Sequence, residues 1–254
     1  MRILACQFDI LWENRQGNFE KVESLLSEVD VPDGSLILLP EMFSSGFSMN
    51  VDRIYEENPS ETKTFLAQLA RRYQSCVVGG LVGKDRGGKG LNNLSVFGPS
   101  GDHLGSYQKN HCFSYTRESQ HYLAGENILI FEWQGFQVCP TICYDLRFPE
   151  LYRRGVQAGA NLFPVIASWP LDRIEHWDIL LKARAIENQA IVVGVNRVGQ
   201  DPNWKYPGHS QIINHMGKVL TKEIGNEACV STEVSVDPVH KWRNTFRALE
   251  DIKR

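Results

Sequence analysis

A chain of 254 residues that is 42% hydrophobic and 22% charged carries enough apolar content for a substantial core. Its formal net charge of −3 and pI near 6.2 argue against nucleic acid or an anionic membrane surface as the main partner. The opening Met1-Arg-Ile-Leu-Ala-Cys-Gln-Phe-Asp9 meets a carboxylate before any long apolar run, so neither a signal peptide nor a membrane span is expected, and the expected location is cytoplasmic. Six cysteines (Cys6, Cys76, Cys112, Cys139, Cys143, Cys229) are scattered along the chain, which reads as reduced thiols and not as a disulfide frame. Cys139 and Cys143 bracket Pro140 without zinc-knuckle spacing, and the seven histidines include no His-x-x-x-His pair, so no metal is expected.

In chain order, Arg2 to Phe8 reads as an opening strand. Asn14 caps a helix to about Glu28, because Phe19, Val22, Leu25, Leu26 and Val29 recur at helical spacing. Pro32-Asp-Gly34 turns the chain into Leu36–Leu39, an apolar run suited to a strand covered on both faces, which ends at Pro40-Glu41. Ser60 caps a second helix with Phe65, Leu66, Leu69, Ala70 and Tyr73 facing inward. Strands follow at Cys76–Leu81, Asn92–Phe97, His103–Gln108, Ile128–Trp133 and Phe136–Ile142, separated by turn signals such as Gly87-Gly88 and Gln134-Gly135. Then come a helix around Glu150–Arg154, a strand at Leu162–Val165, a helix from about Ile174 to Asn188 and a strand at Ala190–Val195. The rest reads as β-rich, with a hairpin at His215-Met-Gly217 and a polar tail from Pro238. Alternating strands and helices with antiparallel hairpins between them predict α/β layering, and with no linker or repeat one domain over residues 1–254 is expected.

The segment Gly135-Phe-Gln-Val-Cys-Pro-Thr-Ile-Cys-Tyr-Asp-Leu-Arg-Phe-Pro-Glu150 looks like a strand delivering a nucleophile. Its apolar run stops at Cys143, and Pro149 suits the first turn of a helix. A tight strand-to-helix turn there exposes the thiol, and the Tyr144 N–H can face a developing oxyanion. A buried cysteine at a strand end is the bland alternative. A thiol nucleophile needs a base and a donor for the tetrahedral intermediate. Glu41 and Lys109 each follow an apolar strand and can share the sheet edge of Cys143, while Glu118 lies in a polar loop. Taken singly, each charged residue is most simply a solvated loop residue.

These residues resemble the nitrilase, or carbon–nitrogen hydrolase, superfamily, over nearly the whole chain. The likeness rests on Leu38-Leu-Pro-Glu-Met-Phe43, Tyr107-Gln-Lys109, Cys143-Tyr-Asp-Leu-Arg-Phe-Pro-Glu150, His176-Trp177 with Ala183-Arg-Ala-Ile-Glu-Asn-Gln189, and Gly208-His-Ser210. The resemblance implies an α-β-β-α sandwich that pairs into a homodimer, with a Glu41-Lys109-Cys143 triad, Glu118 as second glutamate and no cofactor. The run Glu41–Ser48 is similar to that of the omega-amidase branch, which implies a small-molecule substrate, a short 2-oxo-dicarboxylate monoamide such as 2-oxoglutaramate or 2-oxosuccinamate. Such a substrate needs a cation for its carboxylate, and Arg147 is the candidate, with Arg173 next; Trp169 and Phe47 are candidate pocket walls. The alternative for Arg147 is a structural arginine tying its turn to Glu150 or Asp145. Three further readings stay open: a papain-like hydrolase using His209 or His176 as base, a sister amidase acting on a larger amide such as deaminated glutathione, and a non-catalytic binding protein.

Overall fold

Strand β1 (Arg2–Gln7) explains why this chain folds in layers. Ile3 and Ala5 join one apolar cluster, whereas Leu4 and Cys6 join a second one on the opposite face. Side chains of a strand alternate between faces, so a strand that is apolar throughout must be covered twice. The same split recurs in β2 (Leu36–Leu38) and β3 (Cys76–Lys84), where Leu36, Leu38, Cys76 and Val78 face one way and Ile37 and Val77 the other. The computed structural model describes residues 1–57 and 60–253.

One face of these strands is covered by α1 (Arg15–Ser27) and α3 (Glu61–Arg72), with α2 (Val51–Ile54) between them in sequence. Asn14 and Ser60 cap the two long helices, their side chains accepting from the N–H groups of Gly17 and Lys63. Phe19, Val22 and Leu26 of one and Phe65, Leu66 and Leu69 of the other fill the outer cluster. The chain continues through β4 (Gly90–Phe97), β5 (His103–Gln108), α4 (Glu118–His121), β6 (Phe131–Trp133), β7 (Phe136–Val138), β8 (Thr141–Ile142), α5 (Pro149–Gln157) and β9 (Leu162–Ala167). It ends with α6 (Ile174–Glu187), β10 (Ile191–Asn196), β11 (Val198–Gln200), β12 (Lys205–Ile213), β13 (Val219–Ile224), β14 (Ala228–Glu233) and α7 (Asp237–Thr245).

The first sheet has the order β14-β1-β2-β3-β4-β5, parallel through β1, β2 and β3 and antiparallel outside them. The second runs β11-β12-β10-β9-β7-β6, with β13 on β12 and β8 on β9. Ile3, Leu36 and Val78 of the first sheet share an apolar cluster with Val138, Phe163 and Val192 of the second. Helices α5 and α6 close the fourth layer: Gly194 of β10 lies so near α6 that a Cβ there would sit 2.5 Å from Leu181 and 2.7 Å from Trp177. The α-β-β-α sandwich is therefore present as expected. Among the described helices none is long and apolar enough to cross a membrane.

Four local expectations need correction. The Phe136–Ile142 strand is two strands, because Pro140 has no N–H to give the ladder; β7 meets β9 at Val138–Leu162, and β8 rejoins it at Thr141–Val165. Strand character in Ile128–Trp133 begins only at Phe131. The loop around Glu118 contains the single turn of α4, and Glu118 is fully buried. The polar tail is helix α7, started by Asp237-Pro238. It is docked by Val239 and by Arg243, whose guanidinium donates to the carbonyls of Ala160, Asn188 and Gln189.

Candidate active site

Glu41 leaves β2 through Leu39-Pro40 and turns back over β3. The turn fits because β3 has glycine beneath it: a Cβ at Gly80 would stand 2.5 Å from the Met42 nitrogen and 2.8 Å from the Glu41 Cα. Lys109 follows β5, its N–H donating to the Asn92 carbonyl of β4 at 2.9 Å. Both side chains are buried, as is Glu118. The Lys109 ammonium lies 2.9 Å from Glu41 Oε1 and 3.0 Å from each oxygen of Glu118. Asn92 Nδ2 bridges the two acids, 2.8 Å from Glu41 and 3.1 Å from Glu118. Glu41 Oε2 accepts the Ser168 N–H at 2.9 Å, and Glu118 Oε2 accepts the N–H of Phe113. Charges buried this deeply are tolerated only when their lone pairs and protons are matched, and here the further partners come from Asn92 of β4, Phe113 in the segment before α4 and Ser168 just after β9.

Cys143 follows β8 and opens a 3-10 turn over Cys143–Arg147. Its backbone is left-handed, with φ of 48°, an uncommon conformation for a residue with a Cβ. Buried Asp145 holds that turn. One of its oxygens accepts from Tyr107 Oη at 2.6 Å and from the Ile142 N–H at 3.1 Å; the other accepts from the N–H of His111 at 3.0 Å and meets its Nδ1 at 2.8 Å. Tyr107 and His111 flank Lys109 in sequence, so one carboxylate fastens the cysteine turn to the lysine segment.

Burial pushes the Cys143 thiol well above its ordinary pKa; the Glu41 charge pushes the same way, and Lys109 only partly opposes them. For Lys109, burial works against the ammonium, but Glu118 and then Glu41 outweigh it and hold its pKa well above the usual lysine value. Two carboxyl groups thus face one ammonium, and a third negative charge on sulfur is disfavoured. Among the described residues no group of three His, Cys, Asp or Glu side chains is arranged to hold a metal ion.

Above the thiol lies a cleft with about 410 Å³ of atom-free space, part of it open to solvent, lined among others by Phe47, Tyr144, Arg147, Trp169 and Arg173. Phe47, Lys109, Cys143, Tyr144, Arg147, Trp169 and Arg173 thus share one cleft, with Glu41 and Glu118 buried beneath it on Lys109. The Phe47 ring is 5.2 Å from the Lys109 ammonium, and the Arg147 guanidinium lies 4.9 Å over Trp169 and 5.9 Å from Tyr144. Arg147 does not tie its turn to Asp145 or Glu150; its Nη2 meets His176 Nδ1 at 3.0 Å. Arg173 stands among Phe113, Tyr115 and Trp204 at 5.1–5.7 Å, and its buried Nη2 has no hydrogen-bond partner among the described residues. His209, the other histidine base considered for a papain-like site, is turned to Asp178 at 2.9 Å. Neither histidine is hydrogen-bonded to Cys143.

Several residues escaped the sequence reading. Asn92 is a buried amide in a strand, a signal visible only as a polar interruption. Asn196 accepts the Trp169 N–H at 2.7 Å and donates to the Trp169 carbonyl at 2.9 Å, fixing the segment whose Ser168 N–H serves Glu41.

The family model for carbon-nitrogen hydrolases matches residues 2–244, and the chain belongs to that family. Among its relatives, an omega-amidase YafV of Yersinia enterocolitica is 36% identical over 99% of this chain and 96% of the relative. A 2-oxoglutaramate amidase of Bacillus subtilis is 31% identical over 99% and 97%. A solved CN-hydrolase superfamily protein from Xanthomonas campestris, with an arsenic adduct in its active site, superposes with a TM-score of 0.93 at 32% identity, covering 100% of this chain and 97% of that one.

Proposed function

We propose that this chain is an omega-amidase, hydrolysing the terminal amide of short 2-oxo-dicarboxylate monoamides such as 2-oxoglutaramate and 2-oxosuccinamate to the dicarboxylate and ammonia. The observation that carries the reading is a cysteine whose thiol is held neutral beside a buried Glu41–Lys109–Glu118 cluster, under a cleft whose mouth bears two arginines. Relatives named omega-amidase and 2-oxoglutaramate amidase support it over the full length.

In this mechanism Glu41 takes the thiol proton as Cys143 Sγ attacks the amide carbon, because a free thiolate there would add a charge the site disfavours. Glu41 then gives that proton to the leaving nitrogen, the C–N bond breaks, and ammonia departs from the thioester. A water that loses a proton to Glu41 attacks the thioester carbon; the sulfur leaves and recovers its proton, and the carboxylate is released. The three N–H donors of Lys109 already point at Glu41 and Glu118. Its contribution to the oxyanion is therefore mainly charge, and the directed donor is the Tyr144 N–H, in the first turn of a 3-10 segment where N–H groups lack helical partners. Glu118 orients Lys109. Arg147 clasps the distant carboxylate with the planar fork suited to it, Arg173 adds a second positive charge, and Trp169 and Phe47 form walls.

Residues 1–254 act as one catalytic domain in this reading, working in a cytoplasm that keeps its six free thiols reduced. Two copies pair through exposed apolar side chains: Ile179 and Ile186 lie on one face of α6, and Met216 is next to Gly217, which packs on Ile186. A solution mass of one chain would remove the dimer, and recovery in a membrane or secreted fraction the location. The test of function is ammonia release from a panel holding 2-oxoglutaramate, 2-oxosuccinamate, glutamine, deaminated glutathione and a neutral short amide. The expected result is the highest kcat/KM for the two 2-oxo monoamides. Preference for deaminated glutathione would transfer the chain to the sister amidases, and no ammonia from any of them would reject the reading.

A further inference from the structure

The His176-Trp177 pair stands out in the sequence, and Trp177 is a buried core residue whose indole N–H donates to the His209 carbonyl at 3.0 Å. His176 is exposed, on the first turn of α6, and packing gives it no evident task. Its Nδ1 nevertheless meets Nη2 of Arg147 at 3.0 Å. A guanidinium only donates, so His176 Nδ1 is the acceptor, and the bond requires a neutral ring with its hydrogen on Nε2.

The other side of the Arg147 guanidinium lies over Trp169 at 4.9 Å, and that indole is itself immobilised. Asn196 holds both of its backbone polar groups, and its ring N–H donates to the Arg173 carbonyl at 2.8 Å. Among the described residues no carboxylate pairs with Arg147 within 4.0 Å, since the neighbouring Asp145 is committed to Tyr107, His111 and the Ile142 N–H. The guanidinium thus stands between a fixed aromatic face and one neutral acceptor, with its charge unneutralised. An arginine held only by an aromatic face keeps several rotamers, and ordering it on binding would weaken the complex.

We propose that His176 is a positioning residue that holds Arg147 in the orientation that receives the substrate carboxylate, without touching the substrate itself. This rests on the carboxylate-clasp role of Arg147 given above. A carboxylate partner at position 176 would hold the arginine equally well but would cancel its charge; an imidazole orients it and leaves the charge for the ligand.

The test compares His176→Ala and His176→Asn with wild type on 2-oxoglutaramate and on a neutral short amide. Asparagine places its amide oxygen the same number of bonds from Cα as Nδ1 and can accept the same hydrogen. His176→Ala should raise KM for 2-oxoglutaramate about 3–10-fold with kcat nearly unchanged, as for an exposed bond to a charged group. His176→Asn should restore most of that loss, and the neutral amide should respond much less than the charged one. In an Arg147→Lys background the alanine change should add little, because the two act through one interaction. Three results overturn the inference: equal loss in the Ala and Asn variants, a fall in kcat shared by both substrates, or wild-type kinetics in His176→Ala. Arg147→Lys alone separates the two failures. Selective loss there beside a silent His176→Ala removes only the positioning role, whereas equal loss on charged and neutral amides removes the carboxylate clasp and the positioning role together.

Discussion

Glu41, Lys109 and Glu118 at the floor of the cleft and Arg147 and Arg173 at its mouth are both charged sets close to Cys143, yet they are held differently. At the floor every donor of the lysine has a carboxylate oxygen at 2.9–3.0 Å, and an amide and two backbone N–H groups take further carboxylate lone pairs. At the mouth the guanidiniums lie against aromatic faces 4.9–5.9 Å away, and Arg173 keeps a buried nitrogen without a partner among the described residues. Hydrogen-bond closure in a buried site leaves almost no alternative geometry, whereas cation–aromatic contact is weaker and tolerates displacement. On the proposed mechanism, a floor built this way fixes the reaction, and a mouth built this way can be retuned between substrates without disturbing it.

The largest effects should therefore come from the floor and should not depend on the substrate. Lys109→Arg is expected to lower kcat/KM about 10³-fold or more on every amide in the panel, because a planar fork cannot replace a compact ammonium among three oxygens. Glu41→Gln should do the same, and the double variant should be little worse than either single one. Near-normal ammonia release by Lys109→Arg would break the contrast between floor and mouth. Arg147→Lys should be milder and selective, costing about 10–100-fold on 2-oxoglutaramate, in line with loss of a charge-assisted contact of about 1.5–3 kcal/mol, and little on a neutral amide. If the two substrates fall together, or only the melting temperature moves, the mouth is structural.

The smallest expected effect concerns the resting thiol. A raised pKa means that Cys143 keeps its proton to higher pH than a free cysteine, so the thiolate fraction near neutrality is reduced. Its alkylation by iodoacetamide at neutral pH should consequently be slower than that of a free cysteine and should climb steadily with pH between about 5 and 8, without the fast, pH-independent plateau of a thiolate–imidazolium pair. Such a plateau, lost in a His176 or His209 variant, would restore the papain-like reading.

The floor was legible in the sequence because Glu41, Lys109 and Cys143 each end a strand, and strand ends of neighbouring sheets place such residues at one edge. Glu118 was legible as a polar-loop acid near Lys109, and as the second glutamate only by resemblance; its burial was not, because it depends on the single turn of α4, too short to leave a periodic pattern. The mouth was less readable. Phe47, Arg147, Trp169 and Arg173 leave four separate segments and meet only after both sheets are stacked. Asn92, Ser168 and Asn196 escaped notice since a buried amide, or a backbone N–H turned toward an acid, has no signature in composition or period. The break at Pro140 was available from its missing N–H, but the apolar run around it suggested continuity.

The left-handed backbone of Cys143 sets stability against activity in this fold. A φ of 48° costs a side-chain-bearing residue about 1–2 kcal/mol relative to glycine, which adopts it freely. The resting enzyme is therefore less stable than it could be at the residue proposed as its nucleophile. Selection for heat resistance alone would favour glycine at this position and return a sturdier protein without the proposed nucleophile, so on this mechanism a thermostabilised descendant has to gain its margin elsewhere, in the helix caps, the loops or the outer apolar cluster.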